Sequence, residues 1–143
     1  MSTGELGLSD QARAIWGKTN RVDDSEWLPL YVHMADSAAM ATRIWSTWVP
    51  QGTKDVISRD FAGDEGLAKK LAVFLAGVHD IGKATPVFQA KPITFGTEAE
   101  SFAWKTERAG LPMIAGLRDC NHPTHPIAGE TILEGYLMRS WLG

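Results

Sequence analysis

The chain has 143 residues, enough for one domain of ordinary size, and we expect a single domain over residues 1–143. Hydrophobic residues make up 44% and charged residues 22%, which is typical of a globular protein and argues against disorder. The formal net charge of −3 argues against a domain that binds nucleic acid through charge alone. The lone cysteine, Cys120, excludes a disulfide within the chain and favours a reducing, cytoplasmic setting.

The first segment, residues 8–16, has the spacing of a short helix. Its apolar residues recur at helical intervals after the start signal Ser9-Asp10, and Gly17 is expected to end it. The polar residues 19–26 that follow predict a loop.

A long amphipathic helix comes next, with Pro29 in its first turn and an end just before Pro50. Its apolar residues repeat every three or four positions, and His33 lies on the same stripe. We therefore expect the His33 side chain to face inward.

The middle of the chain predicts a connection and then a buried helix. Residues 51–66 are rich in glycine, aspartate and lysine, which favours an exposed connection. Residues 67–78 are apolar on nearly every side, and a helix of that kind is expected to be buried. Gly82 should break it.

The last third contains two clearer helix starts. Thr85-Pro86 predicts a capped short helix, and Pro126, following Thr124 and His125, predicts a final one. Residues 98–108 are a candidate helix between them. Because no segment shows convincing alternation of apolar and polar residues, the sequence predicts an all-α domain.

Asp80 is the most informative residue, because it follows a run of apolar residues at the end of the expected buried helix. A buried carboxylate costs several kcal/mol, on the order of the penalty for an unpaired buried charge, unless something compensates it. A salt bridge, a helix N-terminus or a metal ion would each suffice. One simple alternative is that Asp80 caps the next turn and pairs with Lys83.

The preceding residue, His79, favours the metal, because imidazole and carboxylate side by side suit Mn, Fe, Co, Ni or Zn ions. Gly82 would let the backbone turn sharply after the pair. Lys83 would place a cation where it could hold a phosphate or stabilise developing charge. The sequence therefore predicts a divalent-metal site centred on His79-Asp80.

A metal needs ligands from more than one element, so we expect His33 and His125 to join the pair. By itself His33 would more often be a hydrogen-bonded core histidine. His125 stands at the start of the last helix, whereas His122 favours an exposed loop position. A single cysteine, Cys120, is a poor zinc signature.

The residues taken together resemble the HD phosphohydrolase superfamily, an all-α helical bundle. The string His79-Asp80-Ile81-Gly82-Lys83-Ala84-Thr85-Pro86-Val87-Phe88-Gln89 is similar to the HD segment of the CRISPR-associated type I helicase-nuclease. Trp27-Leu28-Pro29-Leu30-Tyr31-Val32-His33 resembles its entry helix, and His125-Pro126-Ile127-Ala128-Gly129-Glu130 its later histidine-started helix.

This resemblance implies a metal-dependent nuclease that degrades single-stranded DNA fed to it by a helicase, in the same protein or a partner chain. The RNA-guided complex Cascade would mark the target. His33, His79 and Asp80 would hold one metal, and Asp80 would bridge to a second held by His125. Lys83 would lie beside the bound phosphate.

The family pattern continues beyond what this chain contains. Its members have an adjacent histidine pair and a late aspartate after the last helix, whereas this chain has no histidine after His125 and no aspartate after Asp119. The chain is then either a fragment truncated on its C-terminal side, which we favour, or a divergent short protein. We expect weak metal binding and little nuclease activity of its own.

Two other functions stay open at this stage. The same ligands could serve an HD phosphohydrolase that acts on free nucleotides. Alternatively, the chain could be a non-catalytic interaction module that uses the helical core as a scaffold. The substrate distinguishes a nucleotide phosphohydrolase from a nuclease. Metal binding distinguishes both enzymes from an interaction module.

Overall fold

The computed structural model describes residues 7–20, 26–90, 105–111 and 124–142. In chain order its elements are α1 Asp10–Ala14, β1 Trp16–Thr19, β2 Trp27–Pro29, α2 Leu30–Thr47, α3 Gln51–Ser58, a 3-10 turn Arg59–Phe61, α4 Glu65–Val78, a 3-10 turn Ile81–Ala84, α5 Pro86–Gln89 and α6 His125–Leu142. A short helical segment also covers 105–108. The all-α prediction is confirmed, apart from one small sheet. None of the helices in the described ranges has the length and apolar character needed to cross a membrane.

The contacts divide the chain into two compact units. One consists of Met1–His33 together with Asp80–Gly143, and the other of Met34–His79. The expectation of a single domain over the whole chain stays a prediction. Predictions for residues 98–104, Cys120 and His122 lie outside the described residues.

The first helix starts as predicted but ends earlier. The Ser9 hydroxyl accepts a hydrogen bond from the Ala12 amide at 3.2 Å, which caps α1. The helix stops at Ala14, however, and Trp16 begins a strand. Our extension of the helix through Trp16 was wrong, because an apolar side chain at helical spacing fits a buried strand equally well.

The two strands form an antiparallel pair that the sequence did not reveal. Trp16 is opposite Pro29, and Thr19 is opposite Trp27, with an irregular register in between. Strands of three and four residues are too short to show alternation. Gly17 lies in this pair instead of ending a helix: a Cβ there would lie 3.0 Å from the Leu30 Cα atom, so glycine allows β1 to pass close to the start of α2.

Helix α2 forms near its predicted position, but only part of its predicted apolar stripe is buried, since Ile44 is 44% and Trp48 83% exposed. Pro29 ends strand β2 and does not lie in the first turn of the helix. The helix runs from Leu30 to Thr47, directly after Pro29. Leu30 is 3% exposed and Trp45 4%, while His33 is 9% exposed and so faces inward as expected.

The segment predicted as an exposed connection is in fact helical. Helix α3 covers Gln51–Ser58 and is followed by the 3-10 turn, with Ser58 buried. The Gln51 amide donates to Asp55 one turn later at 2.9 Å. The polar residues of this segment form the solvent-facing side of a helix. An exposed loop has a similar composition, so composition alone could not distinguish the two.

Helix α4 forms where expected, but the prediction that it is buried was wrong. Asp64 caps it by accepting from the Leu67 amide at 2.9 Å. Four of its large apolar side chains are 40–53% exposed, namely Leu67, Leu71, Phe74 and Leu75. The helix packs through small residues instead: Ala68 is fully buried, and a Cβ on Gly77 would meet the Ala38 Cβ at 3.4 Å. An apolar surface on every side does not indicate which side packs.

Glu65, the first residue of α4, joins the helices of the Met34–His79 unit. Its carboxylate accepts from the Gln51 amide at 3.0 Å and the Trp45 indole at 3.4 Å, and Lys54 lies at 3.8 Å. These interactions, led by the hydrogen bond from Gln51, hold the pKa of Glu65 below its ordinary value of 4.5.

We expect Glu65→Gln to lower stability near neutral pH and to have little effect in acid. A lowered pKa means that the contribution of Glu65 is complete above the ordinary carboxyl range and disappears as the pH falls through the lowered value. Urea unfolding of both proteins at about pH 7 and about pH 3 would test this. The exposed Glu130→Gln in α6 is the control, and an equal stability difference at both pH values would contradict the prediction.

Candidate metal centre

The buried carboxylate of Asp80 is the centre of the site. Asp80 is 5% exposed, and three side chains from its own unit converge on it. His33 Nε2 lies 2.8 Å and Lys83 Nζ 2.7 Å from Oδ2, while His125 Nε2 lies 3.2 Å from Oδ1. Both oxygens of one buried carboxylate are therefore engaged by nitrogen atoms.

Separate elements supply these groups. His33 comes from the first turn of α2, His125 is the first residue of α6, and Asp80 immediately precedes the 3-10 turn that carries Lys83. Asp80 has φ −106° and ψ 10°, close to the sparsely populated bridge region in which active-site residues often lie. This backbone conformation separates α4 from the 3-10 turn.

The alternative interpretation, in which Asp80 caps the next turn and pairs with Lys83, holds for the ion pair but not for the cap. Its side chain makes no capping hydrogen bond at the start of the 3-10 turn. The ion pair with Lys83 is present, and that ammonium group also donates to the Gly17 carbonyl at 3.2 Å. Lys83 thus neutralises Asp80 and ties it to strand β1.

A close backbone approach brings His125 to the site. A Cβ on Gly82 would overlap the His125 carbonyl oxygen, and one on Gly129 would lie 3.2 Å from the Gly82 amide nitrogen. Two glycines therefore let α6 lie directly against the 3-10 turn. The His125 ring also packs edge-on against Phe88, with ring centroids 5.7 Å apart.

The chain does turn tightly at Gly82, which lies in the 3-10 turn Ile81–Ala84, but the turn does not require a glycine. Among the described residues positive φ angles occur at Ala62, Gly63 and Gly110 only. Gly82 is needed because α6 leaves no space for a side chain. No sequence signal within the turn could reveal this, because the neighbouring backbone is distant along the chain.

His79 is the chain neighbour of Asp80 and ends helix α4. Its side chain is exposed, and Nδ1 lies 2.8 Å from the Ala76 carbonyl oxygen. A carbonyl can only accept, so Nδ1 donates this bond, and in the neutral ring Nε2 then has the lone pair that a metal requires.

The donor chemistry of the site fits a transition metal. His33, His79 and Asp80 offer two imidazole nitrogens and a carboxylate, a donor set that could hold such an ion. The carboxylate charge is balanced by Lys83, so the site is electrically compensated without an ion.

Sequence reasoning missed one polar group beside this site. Gln89, the last residue of α5, is 2% exposed and bonds through its side chain to the backbone of Trp16 and Lys83. A glutamine in a short helix gives no local sign of such a role, so spacing could not have identified it.

A buried aspartate between histidines of separate helices is typical of the HD class of metal-dependent phosphohydrolases. The sequence model of the family described as "Cas3, HD domain" matches residues 16–142. The chain therefore belongs to the family of Cas3 HD domains.

Two curated relatives agree. The chain is 37% identical over 117 residues to the CRISPR-associated nuclease/helicase Cas3 of Streptococcus thermophilus, covering 77% of this chain and 13% of the relative. It is 34% identical over 107 residues to the CRISPR-associated endonuclease/helicase Cas3 of Thermus thermophilus, covering 75% of this chain and 10% of the relative. The chain thus spans only a small part of the length of these relatives. Both relatives are named as nucleases, so the family to which the chain belongs is a family of hydrolases. No solved structure matches the chain significantly.

Proposed function

We propose that this chain is a nuclease domain that hydrolyses phosphodiester bonds of single-stranded DNA in type I CRISPR interference. The observation that carries the proposal is the convergence of His33, Lys83 and His125 on the buried carboxylate of Asp80. A domain without metal chemistry has no evident need to bury this group, because doing so costs stability.

In this proposal His33, His79 and Asp80 hold one divalent ion, and Asp80 with His125 holds a second. Fe, Mn, Co, Ni and Zn all suit the donors. When bound, such ions supply an activated water and stabilise the leaving oxygen. His33 and His125 already lie against different oxygens of the Asp80 carboxylate, which supports a proposal in which these three side chains would help to hold the ions.

Lys83 has two roles in this scheme. Its bonds to Asp80 and to the Gly17 carbonyl fix the direction of the carboxylate. We place the same ammonium group near the phosphate of the bound DNA, where a positive charge stabilises the charge that develops as the bond breaks.

The names of the two relatives support one of the proposed partners. Both are named as helicases as well as nucleases, which supports a helicase in the same protein as this domain. We propose that it delivers single-stranded DNA after Cascade has opened the target. The net charge of −3 supports an assignment of most DNA affinity to those partners. We place the activity in the cytoplasm.

The test is cleavage by the full-length product of the gene, with Mn²⁺ or Ni²⁺ added. Circular single-stranded DNA should be degraded, and free nucleoside monophosphates, which a helicase does not hydrolyse, should release neither phosphate nor nucleoside. Hydrolysis of nucleotides with intact DNA would instead establish the phosphohydrolase alternative. A protein that neither binds metal nor cleaves either substrate would be an interaction module, and the proposal would be wrong.

His79→Ala should separate metal binding from folding. Because the side chain is exposed, its removal should change stability by less than about 1 kcal/mol. Loss of a metal ligand should nevertheless weaken Mn²⁺ binding and DNA cleavage by at least about 100-fold. Removing a group that only hydrogen-bonds to a metal ligand already costs up to about 100-fold, and losing the ligand itself should cost at least as much. Calorimetric titration and urea unfolding measure the two quantities. Wild-type metal affinity in this variant would remove His79 from the site.

A further inference from the structure

The side chain of Gln89 joins two parts of the unit that contains Asp80. Its Oε1 accepts from the Trp16 amide at 3.2 Å, and its Nε2 donates to the Trp16 carbonyl at 2.9 Å. One amide side chain thus bonds both backbone groups of Trp16, as a neighbouring strand would. The same Nε2 donates to the Lys83 carbonyl at 2.8 Å.

These bonds hold the turn that carries the site. The Lys83 backbone is bound to Gln89, while the Lys83 ammonium is bound to Gly17, the residue after Trp16. The turn is therefore attached to strand β1 at two points, one through main chain and one through side chain. Asp80 is in turn bound to Lys83 twice, by the ion pair and by the Lys83 amide, which donates to the Asp80 carbonyl at 2.9 Å.

Burial makes this arrangement stiff. Gln89 is 2% exposed, and Trp16 is 7% exposed with its ring against Phe88 at 4.8 Å between centroids. Water has little access to the hydrogen bonds of the Gln89 amide. If a substitution removes these bonds, water cannot readily replace them. Displacement of the Lys83 backbone would move the ammonium group that faces the Asp80 oxygen.

We propose that Gln89 is a positioning residue for the metal centre, which sets the orientation of the Asp80 carboxylate through Lys83. The proposal rests on the metal site described under the proposed function. The side-chain hydrogen bonds of Gln89 described above go to Trp16 and Lys83 and not to a proposed metal ligand, so Gln89 acts through the 3-10 turn. Groups that orient metal ligands from outside typically alter affinity by about 10- to 100-fold.

The experiment is a titration of the full-length gene product with Co²⁺, whose visible absorption reports coordination geometry as well as occupancy. Gln89→Met keeps the length of the side chain and removes all three hydrogen bonds. We expect Co²⁺ affinity to fall about 10- to 100-fold and the absorption bands of the bound ion to shift. Gln89→Glu keeps an acceptor for the Trp16 amide but loses both donated bonds, so it should act in the same direction if the methionine variant does not fold.

Two controls give each outcome a distinct meaning. Trp45→Phe removes a buried indole and its bond to Glu65 in the other unit, and it should lower stability without shifting the Co²⁺ bands. If folded Gln89 variants show wild-type affinity and bands while Asp80→Asn abolishes binding, Gln89 is structural only and the inference is wrong. If Asp80→Asn binds Co²⁺ normally, the proposed metal site itself has failed.

Discussion

Replacing Asp80 by asparagine should abolish binding of divalent transition metals and destabilise the metal-free chain by about 3 kcal/mol. Asparagine has nearly the same shape but carries no charge. The Lys83 side chain is only 12% exposed and would lose the carboxylate that balances it, and the histidines would lose a charged partner. Removing one member of a buried ion pair is far more costly than removing an exposed one.

Mn²⁺ titration measures the first effect and urea unfolding without metal the second. Asp64→Asn is the matched control: Asp64 is an exposed cap of α4, and asparagine caps a helix about as well as aspartate, so stability and metal binding should both stay near wild type. Retained metal affinity in the Asp80 variant would exclude Asp80 as a ligand. Unchanged stability in the Asp80 variant would show that the buried Lys83 ammonium group does not need the Asp80 carboxylate to balance its charge.

Gly82→Ala should cost at least about 3 kcal/mol and separate His125 from Asp80, because the added methyl group has no available space. It would overlap the His125 carbonyl and lie 2.6 Å from the Gly129 amide nitrogen and 2.8 Å from the His125 carbonyl carbon. These are backbone atoms of α6, so the helix as a whole would have to move away. The 3-10 turn and α6 would then move apart, although no proposed metal ligand has been substituted.

Thermal or urea unfolding and Co²⁺ titration measure these effects. Gly52→Ala is the control, because Gly52 lies in α3 with nothing within 4 Å of a new Cβ. That change should stabilise the chain by up to about 1 kcal/mol through helix propensity and leave the metal site intact. Equal behaviour of the two variants would show that α6 does not lie against the turn as described.

Most helices of this chain could be predicted because their signals are local. Ser9 and Pro86 act within the first turn of their helices, and the apolar residues between Leu30 and Trp45 recur every three or four positions. The corresponding helices form near those residues. The two strands and α3 could not be predicted. The strands are too short to show a period, and the polar residues of α3 suit a loop as well as a helix.

The residue types of the candidate site were also evident from the sequence. A carboxylate placed directly after an apolar run requires compensation wherever it is buried, and His79 beside it favours a metal ion among the possible forms of compensation. The family match covers residues 16–142, which include this segment. The identities of the donors are therefore properties of the sequence by itself.

The tertiary structure decided which groups meet. His33 and Asp80 are 47 residues apart in sequence and Gln89 and Trp16 are 73 apart, yet each pair forms a hydrogen bond. Periodicity reports only which side of an element is apolar, whereas contacts of this range depend on the path of the whole chain. The bond from Lys83 to the Gly17 carbonyl, the buried amide of Gln89 and the lack of space at Gly82 all follow from that path.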